Sequence, residues 1–333
     1  MSILVIRLGA MGDIIHALPA VASLKLSFPE RKLSWLVEPK WMQLLEGNPA
    51  IDELIPFDRQ GIASLWNSSR QLRRLRPDLA IDFQGLVKSS LAGRIAHPQA
   101  FFGFDRTVAR ESLATWFYNR RVRVTGPHRV QRNLQLVSVA GAANLTEQAW
   151  IPSGREEGNL PSRPFVLASP FAGWASKQWP LESYGRLAAL LDKEGLELVI
   201  NVPEPLAPEL RHLDRAWVHI SSLDGLIDAT RRAAAIIGVD SGPLHLAAAL
   251  DKPGVALFGP TDPSQTGPFR GRMIVLRAPG VETTYKRHSR IHASMAEIGV
   301  QEVADALMQS LAQGTGHSFA GPVGSASSTV HGS

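Results

Sequence analysis

The sequence contains no cysteine among its 333 residues. This absence excludes disulfide bonds, thiolate metal ligands and thiol nucleophiles, and it fits a reducing compartment. The chain also lacks a run of about 18 apolar residues that could span a membrane. Its N-terminus enters an apolar stretch at once, without the basic flank and cleavage site of a signal peptide. Together these absences lead us to expect a globular protein of the cytoplasm.

The glycine-rich fingerprints of common nucleotide-binding folds are missing as well. The first apolar stretch is followed by Leu8-Gly9-Ala10-Met11-Gly12-Asp13, which is neither G-x-G-x-x-G nor a P-loop. Two glycines three residues apart still let a backbone pass close to a ligand. Asp13 lies where a helix should begin, and two roles are open to it. It is either the N-cap of that helix or a general base facing a cleft.

Charge is distributed unevenly along the chain. Apolar residues make up 44% and charged residues 20%, as in ordinary globular proteins. The net charge is +5, but residues 59–132 carry 14 Lys and Arg against 4 Asp and Glu. This excess predicts an anionic partner, namely nucleic acid, a phosphorylated lipid surface or a polyanionic substrate. The alternative is a solvated basic face without a dedicated partner.

Strand-like and helical segments alternate in both halves of the chain, which predicts an α/β fold with parallel sheets. Residues 152–164 are rich in Pro, Gly, Ser and charge and have the composition of a linker. We therefore expect an N-terminal domain over 1–152 and a C-terminal domain over 165–312, facing each other across a cleft. The stretch 313–333 is rich in Gly, Ser and Ala without periodicity, and we expect a disordered tail there.

The strand-to-helix turn at Asp240-Ser241-Gly242 is the strongest single indication of a ligand site. An apolar stretch, Ala235–Val239, stops at Asp240, and an Ala-rich helix begins near Pro243. Ligands of open α/β sheets bind at this edge, and free N–H groups at a helix start favour an anion. The alternative is an ordinary connection in which Asp240 or Ser241 caps the helix.

Three further basic positions are candidates for binding phosphates or a large anion. Lys177 lies in a glycine-containing loop and is either a phosphate ligand or a surface lysine. Lys88 is likewise either a phosphate ligand or a solvated lysine. The stretch Arg110–Arg121 mixes basic residues with Trp116, Phe117 and Tyr118. It predicts either a grip on a large, partly apolar anion or a helix with an aromatic core face.

Five motifs in order along the chain resemble the lipopolysaccharide heptosyltransferase family, glycosyltransferase family 9. The likeness runs from about residue 1 to 310, and Arg110–Arg121 is most similar to the heptosyltransferase I branch. The five motifs are Arg7-Leu8-Gly9-Ala10-Met11-Gly12-Asp13, Asp82-Phe83-Gln84-Gly85-Leu86-Val87-Lys88-Ser89, Ser176-Lys177-Gln178-Trp179-Pro180, Val239-Asp240-Ser241-Gly242-Pro243-Leu244-His245 and Phe258-Gly259-Pro260-Thr261-Asp262-Pro263.

The resemblance implies a GT-B fold, in which two Rossmann-like α/β domains face each other across a cleft. It implies an inverting transfer of heptose from ADP-L-glycero-D-manno-heptose to the Kdo sugar of the lipopolysaccharide inner core (Kdo-lipid A). That transfer would need neither metal nor cofactor. The enzyme would contact the cytoplasmic face of the inner membrane peripherally and would bind no nucleic acid.

The resemblance also implies roles for individual residues. Asp13 matches the catalytic base, Lys177 a lysine near the donor phosphates, and Asp240 the aspartate that holds the heptose hydroxyls. The remaining donor-site matches are Ser241, Gly242, His245 and Thr261, and the acceptor-site matches are Gly12, Lys88, Arg110 and Arg120. The family often places a glutamate on the ribose after the strand near residue 200. Here Glu204 is the candidate and Glu209 the alternative.

Two other functions compete with this interpretation. One is a related GT-B transferase that uses another nucleotide-sugar or another acceptor. The other is a non-enzymatic α/β protein that binds a nucleotide or RNA through the basic face. The latter is disfavoured because the aromatic and basic stretch contains no recognisable nucleic-acid-binding module.

Overall fold

Two parallel six-stranded sheets form the framework of the computed structural model, which describes residues 1–58, 62–211 and 213–315. The strands of the first sheet are β1 (Ser2–Ile6), β2 (Lys32–Val37), β3 (Glu53–Pro56), β4 (Leu79–Asp82), β5 (Ala100–Phe104) and β6 (Arg120–Val122). Those of the second are β7 (Phe165–Ser169), β8 (Glu197–Val202), β9 (Trp217–Ile220), β10 (Ala235–Val239), β11 (Gly254–Phe258) and β12 (Met273–Arg277). We call the halves of the chain that carry these sheets the first lobe and the second lobe.

Helices connect the strands in both lobes. In the first lobe they are α1 (Met11–Ser27), α2 (Ile62–Leu75), α3 (Val87–Ile95) and α4 (Arg129–Val139). In the second lobe they are α5 (Leu181–Lys193), α6 (Leu223–Arg232), α7 (Gly242–Ala249), α8 (Pro263–Thr266), α9 (Ala293–Ala296) and α10 (Val300–Thr315). Short 3₁₀ helices cover Pro39–Leu44, Ser112–Phe117, Ala175–Lys177 and Glu204–Leu210.

Both sheets have the same strand order. The first runs β3-β2-β1-β4-β5-β6 and the second β12-β11-β10-β7-β8-β9, so each has the 3-2-1-4-5-6 order of a doubly wound Rossmann sheet. The order reverses between β1 and β4 and between β7 and β10. Ligands of such sheets bind at the carboxyl edge beside that reversal. Asp13 follows β1 and Asp240 follows β10, so each lies at the edge where a ligand is expected.

The central strands are apolar because both of their faces are covered. All five residues of β10 and all five of β7 are buried, as is typical of parallel strands with helices on both sides. Helix α1 is likewise buried along most of its length. It packs against α4 of its own lobe and against α7 of the other. The predicted α/β fold with parallel sheets is confirmed.

The two lobes touch where the first turns of α1 and α7 meet. A Cβ placed on Gly12 would lie 2.2 Å from Cδ2 of His245, and one on Gly242 would lie 2.5 Å from Sδ of Met11. Each lobe therefore contributes one glycine and one side chain that fills the space above the opposite glycine. A single cluster of buried apolar side chains continues across this joint, from Ile14 in α1 to Leu246 in α7.

The segment expected to be a linker, 152–164, contains neither helix nor strand and is fastened to the second lobe. Arg155 pairs with Asp224 at 2.7 Å, and the Glu157 carboxylate accepts hydrogen bonds from the backbone N–H and the hydroxyl of Ser222, both at 2.7 Å. The connection between the lobes is thus fixed at its second-lobe end.

Two expectations about helices need correction. Helix α10 runs to Thr315, so the tail expected from residue 313 is wrong for residues 313–315, and residues 316–333 lie outside the described part of the chain. The helix considered for Arg110–Arg121 is only the short 3₁₀ turn Ser112–Phe117, followed by β6. In the described ranges, the helices are too short or too polar to cross a membrane.

We expect Gly12→Ala to destabilise the protein, because the new methyl group overlaps the His245 ring and forces α1 and α7 apart. Overpacking of this kind costs about 1–3 kcal/mol, which urea denaturation would measure. Gly185→Ala is the matched control, since a Cβ on that α5 residue would meet its nearest neighbour at 3.7 Å. The control should leave stability unchanged or raise it by up to about 1 kcal/mol. Equal effects of the two substitutions would contradict the tight joint.

Candidate active site

A cavity of about 500 Å³ lies between the lobes, where the carboxyl edges of the two sheets face each other. It brings together residues from both lobes that are far apart in the sequence. The first lobe contributes Gly12, Asp13, His16, Arg110 and Arg129, and the second contributes Trp174, Lys177, Asp240, Ser241, Gly242, His245, Thr266, Tyr285 and Arg287. Eight of the candidate residues from the sequence therefore line one cleft, namely Gly12, Asp13, Arg110, Lys177, Asp240, Ser241, Gly242 and His245.

Asp13 is the third residue of α1 and does not cap it. The N-cap position is Ala10, which has no side-chain capping bond, so the N-cap interpretation of Asp13 is wrong. Its carboxylate is ion-paired with three guanidinium groups instead, those of Arg7, Arg110 and Arg129. The Arg110 Nη2 to Asp13 Oδ2 distance is 2.9 Å. The Asp13 side chain is only 10% exposed.

The charge of Asp13 is set by a competition between burial and these cations. Burial by itself would raise the pKa of Asp13, but Arg7, Arg129 and Arg110 outweigh it and hold that pKa well below its ordinary range. Asp13 is therefore ionised at neutral pH, as a general base must be. While all three pairs persist its basicity is weak, because a strongly stabilised carboxylate takes up a proton reluctantly.

Asp240 is held in the same manner on the opposite wall. Its Oδ2 lies 2.5 Å from Nζ of Lys177 and accepts a 2.8 Å hydrogen bond from the Thr261 hydroxyl. Its Oδ1 accepts a 3.3 Å bond from Thr266 and lies 3.5 Å from Nε2 of His245. Burial would raise the pKa of Asp240, yet His245 and Lys177 lower it well below its ordinary value. The result is a fixed, ionised hydrogen-bond acceptor.

The first turn of α7 provides donors beside Asp240. Ser241 occupies the N-cap position with extended backbone, but its side chain makes no capping bond and its buried hydroxyl has no hydrogen-bond partner among the described residues. The proposed capping by Asp240 or Ser241 is therefore wrong. The first N–H groups of a helix have no intrahelical acceptor, and the side of α7 that carries them borders the cavity. Such a site suits an anion.

Two cations flank an indole ring at the second-lobe side of the cavity. Nζ of Lys177 lies 4.5 Å from the ring centroid of Trp174, and the Arg287 guanidinium lies 5.3 Å from it. This places two positive charges on the wall of the cavity that also carries the start of α7, where they can offset the charge of a bound anion. In the described ranges, no group of three or more His, Asp or Glu side chains could hold a metal ion.

Three of the acceptor and donor candidates lie away from this cavity. Lys88 is in α3, with Nζ 4.0 Å from Glu38 Oε1. Arg120 is exposed on the edge strand β6 and donates a hydrogen bond to Asn119 O. Glu204 begins the 3₁₀ helix Glu204–Leu210 and is exposed, as is Glu209. The structure thus brings none of them to the cleft wall. Thr261 is not part of the lining either, but its hydroxyl donates a hydrogen bond to Asp240, which is.

Of the three arginines that hold Asp13, the sequence indicates only Arg110 as a candidate site residue. Arg7 occurs only within the first motif, and Arg129 has no role assigned from the sequence. Arg7 is buried at the end of β1, where its Nη1 donates to Phe83 O at 2.8 Å, and Arg129 opens α4. The one available signal was the basic excess over residues 59–132, which includes Arg110 and Arg129 but not Arg7.

A cluster of three histidine rings lies at the joint between the lobes. The His16 centroid is 4.4 Å from that of His245 and 5.3 Å from that of His128. Nδ1 of His128 accepts from Val130 N at 3.1 Å as the N-cap of α4, so Nε2 carries the proton. That Nε2–H donates across the joint to Gly267 O at 3.0 Å. Burial lowers the pKa of His128 to about 4 and lowers that of His16 as well.

The family model for glycosyltransferase family 9 (heptosyltransferase) matches residues 65–293, more than half of the chain. The chain belongs to glycosyltransferase family 9. It is therefore a glycosyltransferase of the heptosyltransferase family, and the resemblance drawn from its five motifs is confirmed.

Similar proteins extend this assignment beyond the matched range. Lipopolysaccharide heptosyltransferase 1 of Escherichia coli O18:K1:H7 is 30% identical over 304 residues, which cover 85% of this chain and 93% of that protein. The enzyme of the same name from Pseudomonas aeruginosa is 32% identical over 292 residues, 81% of each. The solved structure of E. coli heptosyltransferase WaaC with ADP-2-deoxy-2-fluoro heptose has a TM-score of 0.75 and 26% identity, covering 93% of this chain and 99% of that one. The expected GT-B fold is confirmed.

His128→Asn should make the protein less stable at neutral pH and less sensitive to acid. Asn retains the N-cap but does not reach Gly267, so the free energy of unfolding at pH 7.5 should fall by about 1 kcal/mol. The folded-state pKa of His128, about 4, lies below its ordinary value of 6.5. Stability from the neutral ring is therefore present above pH 6.5 and lost as the pH falls toward 4.

Urea denaturation at pH 7.5 and pH 5 tests this. The difference in the free energy of unfolding between wild type and variant should be smaller at pH 5, because Asn does not titrate. A gap of equal size at both pH values would contradict a neutral His128 at the joint.

Proposed function

We propose that this enzyme transfers heptose from ADP-L-glycero-D-manno-heptose to the Kdo sugar of Kdo-lipid A with inversion at the anomeric carbon. The acceptor hydroxyl oxygen forms the new bond to that carbon while the bond from the carbon to the ADP oxygen breaks. Asp13 takes the hydroxyl proton, and ADP leaves with the bonding electron pair. The acceptor lies on the first lobe, residues 1–152, and the donor on the second, residues 165–312.

The observation that carries the proposal is the pair of ionised carboxylates, Asp13 and Asp240, on opposite walls of one cleft. Asp13 stands on the first-lobe wall, where a proton acceptor for the attacking hydroxyl is needed. Asp240 faces it from the second lobe and can accept hydrogen bonds from sugar hydroxyls. The Asp240 wall also carries Lys177, Arg287 and the N-terminus of α7, which together suit a diphosphate, so we place the donor on that side.

The second lobe supplies what an ADP leaving group requires. Lys177, Arg287 and the N-terminus of α7 together offer positive charge and N–H donors where the departing diphosphate gathers negative charge. These groups can replace a divalent metal, and we propose transfer without one. Support for the adenine nucleotide comes from a structurally similar heptosyltransferase solved with an ADP-heptose analogue.

A surface of the first lobe suits a lipid-borne acceptor. Leu91, Leu113 and Trp116 are 46%, 55% and 66% exposed, on helix α3 and the 3₁₀ helix Ser112–Phe117, which contact each other. Exposed Arg94 and Arg120 lie on α3 and on the strand that follows the 3₁₀ helix. Apolar side chains bordered by cations are typical of peripheral contact with an anionic bilayer. We propose this contact at the cytoplasmic face of the inner membrane.

Asp13→Asn should lower the rate of heptose transfer by about 10²- to 10⁴-fold, the usual contribution of a general base. Transfer from ADP-heptose to Kdo-lipid A would be followed in the presence of EDTA. Asp192→Asn, which changes an exposed carboxylate of α5, is the control and should keep the wild-type rate. ADP should still raise the thermal midpoint of the Asp13 variant, because its site is on the other lobe. Wild-type transfer by the Asp13 variant would disprove the base, and stabilisation by UDP or GDP but not ADP would disprove the donor.

Trp116→Ala should weaken co-sedimentation with vesicles that contain anionic lipid, because it removes the most exposed indole of the proposed contact. Trp217→Ala is the matched control, since that indole is 47% exposed on the second lobe. The control should sediment with the vesicles as the wild type does. Equal binding by both variants and the wild type would contradict the assignment of this surface.

A further inference from the structure

A second, smaller cavity of about 120 Å³ opens beside Asp13 on the first lobe. Four guanidinium groups line it, those of Arg7, Arg110, Arg129 and Arg132, together with the single carboxylate of Asp13. The excess of positive charge is large for such a small space. The main cleft is about four times larger, so this cavity suits one small anionic group and not a sugar ring.

Arg7 shows that the positive charge of this cavity is incompletely satisfied. Its side chain is 5% exposed. Nη1 donates to Phe83 O and Nη2 pairs with Asp13, but the buried Nε has no hydrogen-bond partner in the described part of the chain. A buried donor without an acceptor is destabilising. Phe83 and Asp13 therefore leave one donor of Arg7 unsatisfied.

Arg132 has no evident role in holding Asp13. The ion pairs of Asp13 involve Arg7, Arg110 and Arg129, whereas Nε of Arg132 donates to Gly126 O at 2.7 Å. Helix α4 nevertheless brings Arg132 to the same cavity, one turn after Arg129. Arg132 therefore adds a positive charge to the cavity lining that is not used to hold Asp13.

We infer that this cavity binds an oxyanion of the acceptor, a carboxylate or a phosphate, and that this anion replaces Asp13 as the partner of Arg110 and Arg129. The inference rests on the proposed function and names the acceptor group that the first lobe recognises. Guanidinium forks pair with both kinds of oxyanion. Arg110 and Arg129 are 45% and 34% exposed, so both can turn toward an entering group, whereas buried Arg7 stays in place.

The exchange couples acceptor binding to the readiness of the base. With all three arginines in place, Asp13 is a weak proton acceptor. When an acceptor anion engages two of them, Asp13 retains Arg7 alone and its basicity rises. The acceptor thereby activates the carboxylate that deprotonates it. An uncharged sugar does not displace the arginines, and Asp13 remains a weak base.

The test is a matrix of acceptors and variants measured by steady-state kinetics. The acceptors are the parent acidic glycolipid, its carboxamide in place of the carboxylate, and its dephosphorylated form. The enzymes are the wild type, Arg132→Gln, Arg110→Gln and the control Arg106→Gln. Arg106 is exposed, precedes Arg110 by four residues and is not part of the cavity lining. Arg110→Gln serves as the second test variant in case Arg132→Gln does not fold. Arg110 is about half exposed, so we expect its replacement to leave the fold intact.

For the wild type we expect the modification that removes the bound anion to raise KM roughly 10- to 100-fold, as loss of a charged hydrogen bond does, and to lower kcat. This rise in KM and fall in kcat, which we call the penalty, should be several-fold smaller in Arg132→Gln and Arg110→Gln and should stay unchanged in Arg106→Gln. A penalty specific to the carboxamide identifies the carboxylate as the bound group, and one specific to dephosphorylation identifies a phosphate. Penalties that are the same in all four enzymes overturn the inference.

A binding measurement separates failure of this inference from failure of the proposed function. With ADP saturating the second lobe, sulfate at constant ionic strength should raise the thermal midpoint of wild type and Arg106→Gln more than that of Arg132→Gln. Equal shifts in all three overturn the oxyanion cavity even if heptose is transferred. Absence of transfer to the parent glycolipid by the wild type overturns the proposed function, whatever sulfate does.

Discussion

The contact between the first turns of α1 and α7 is the constraint on which the active site depends. Gly12 and Gly242 let two helices from different sheets approach until His245 and Met11 occupy the space where their side chains would be. Each helix starts at the carboxyl edge of its sheet, α7 two residues after Asp240 and α1 two residues before Asp13. The closeness of the helices therefore brings two carboxylates to one cavity, although they are 227 positions apart in the sequence.

Both carboxylates depend on cations for their ionisation, but the cations differ in kind. Asp240 is held by Lys177 and by neutral hydroxyl donors that fix its orientation. Asp13 is held by guanidinium groups, of which two are partly exposed. Strong electrostatic stabilisation suits a carboxylate that only accepts hydrogen bonds, whereas it works against one that must take up a proton. The proposed exchange of Arg110 and Arg129 from Asp13 to an acceptor anion resolves that conflict on the first lobe.

Local patterns made much of the fold predictable, while the environment of Asp13, the proposed base, depended on distant contacts. Periodicity and strand-to-helix turns placed the strands and the motifs at Asp13 and Asp240, since such signals are read within about ten residues. The Arg129 to Asp13 pair joins residues 116 positions apart, and no local pattern encodes it. The positions of Asp13 and Ser241 suited an N-cap role for each. In the structure, however, arginines pair with the Asp13 carboxylate, and the Ser241 hydroxyl has no hydrogen-bond partner among the described residues. The family resemblance implies site roles for Lys88, Arg120 and Glu204, but the structure places all three outside the lining of the cleft.

The continuous apolar cluster across the lobe joint has a consequence for substrate capture. Separating the lobes would expose Leu246, Ile14 and the contacting imidazole rings of His16 and His245 to water, which apolar burial opposes. Domains joined by such an interface lack the free hinge motion of domains with a wet, polar boundary. The nucleotide-sugar thus meets walls already assembled, and little of its binding free energy is diverted into closing them. Preorganisation of this kind leaves that energy for the distorted sugar of the transition state.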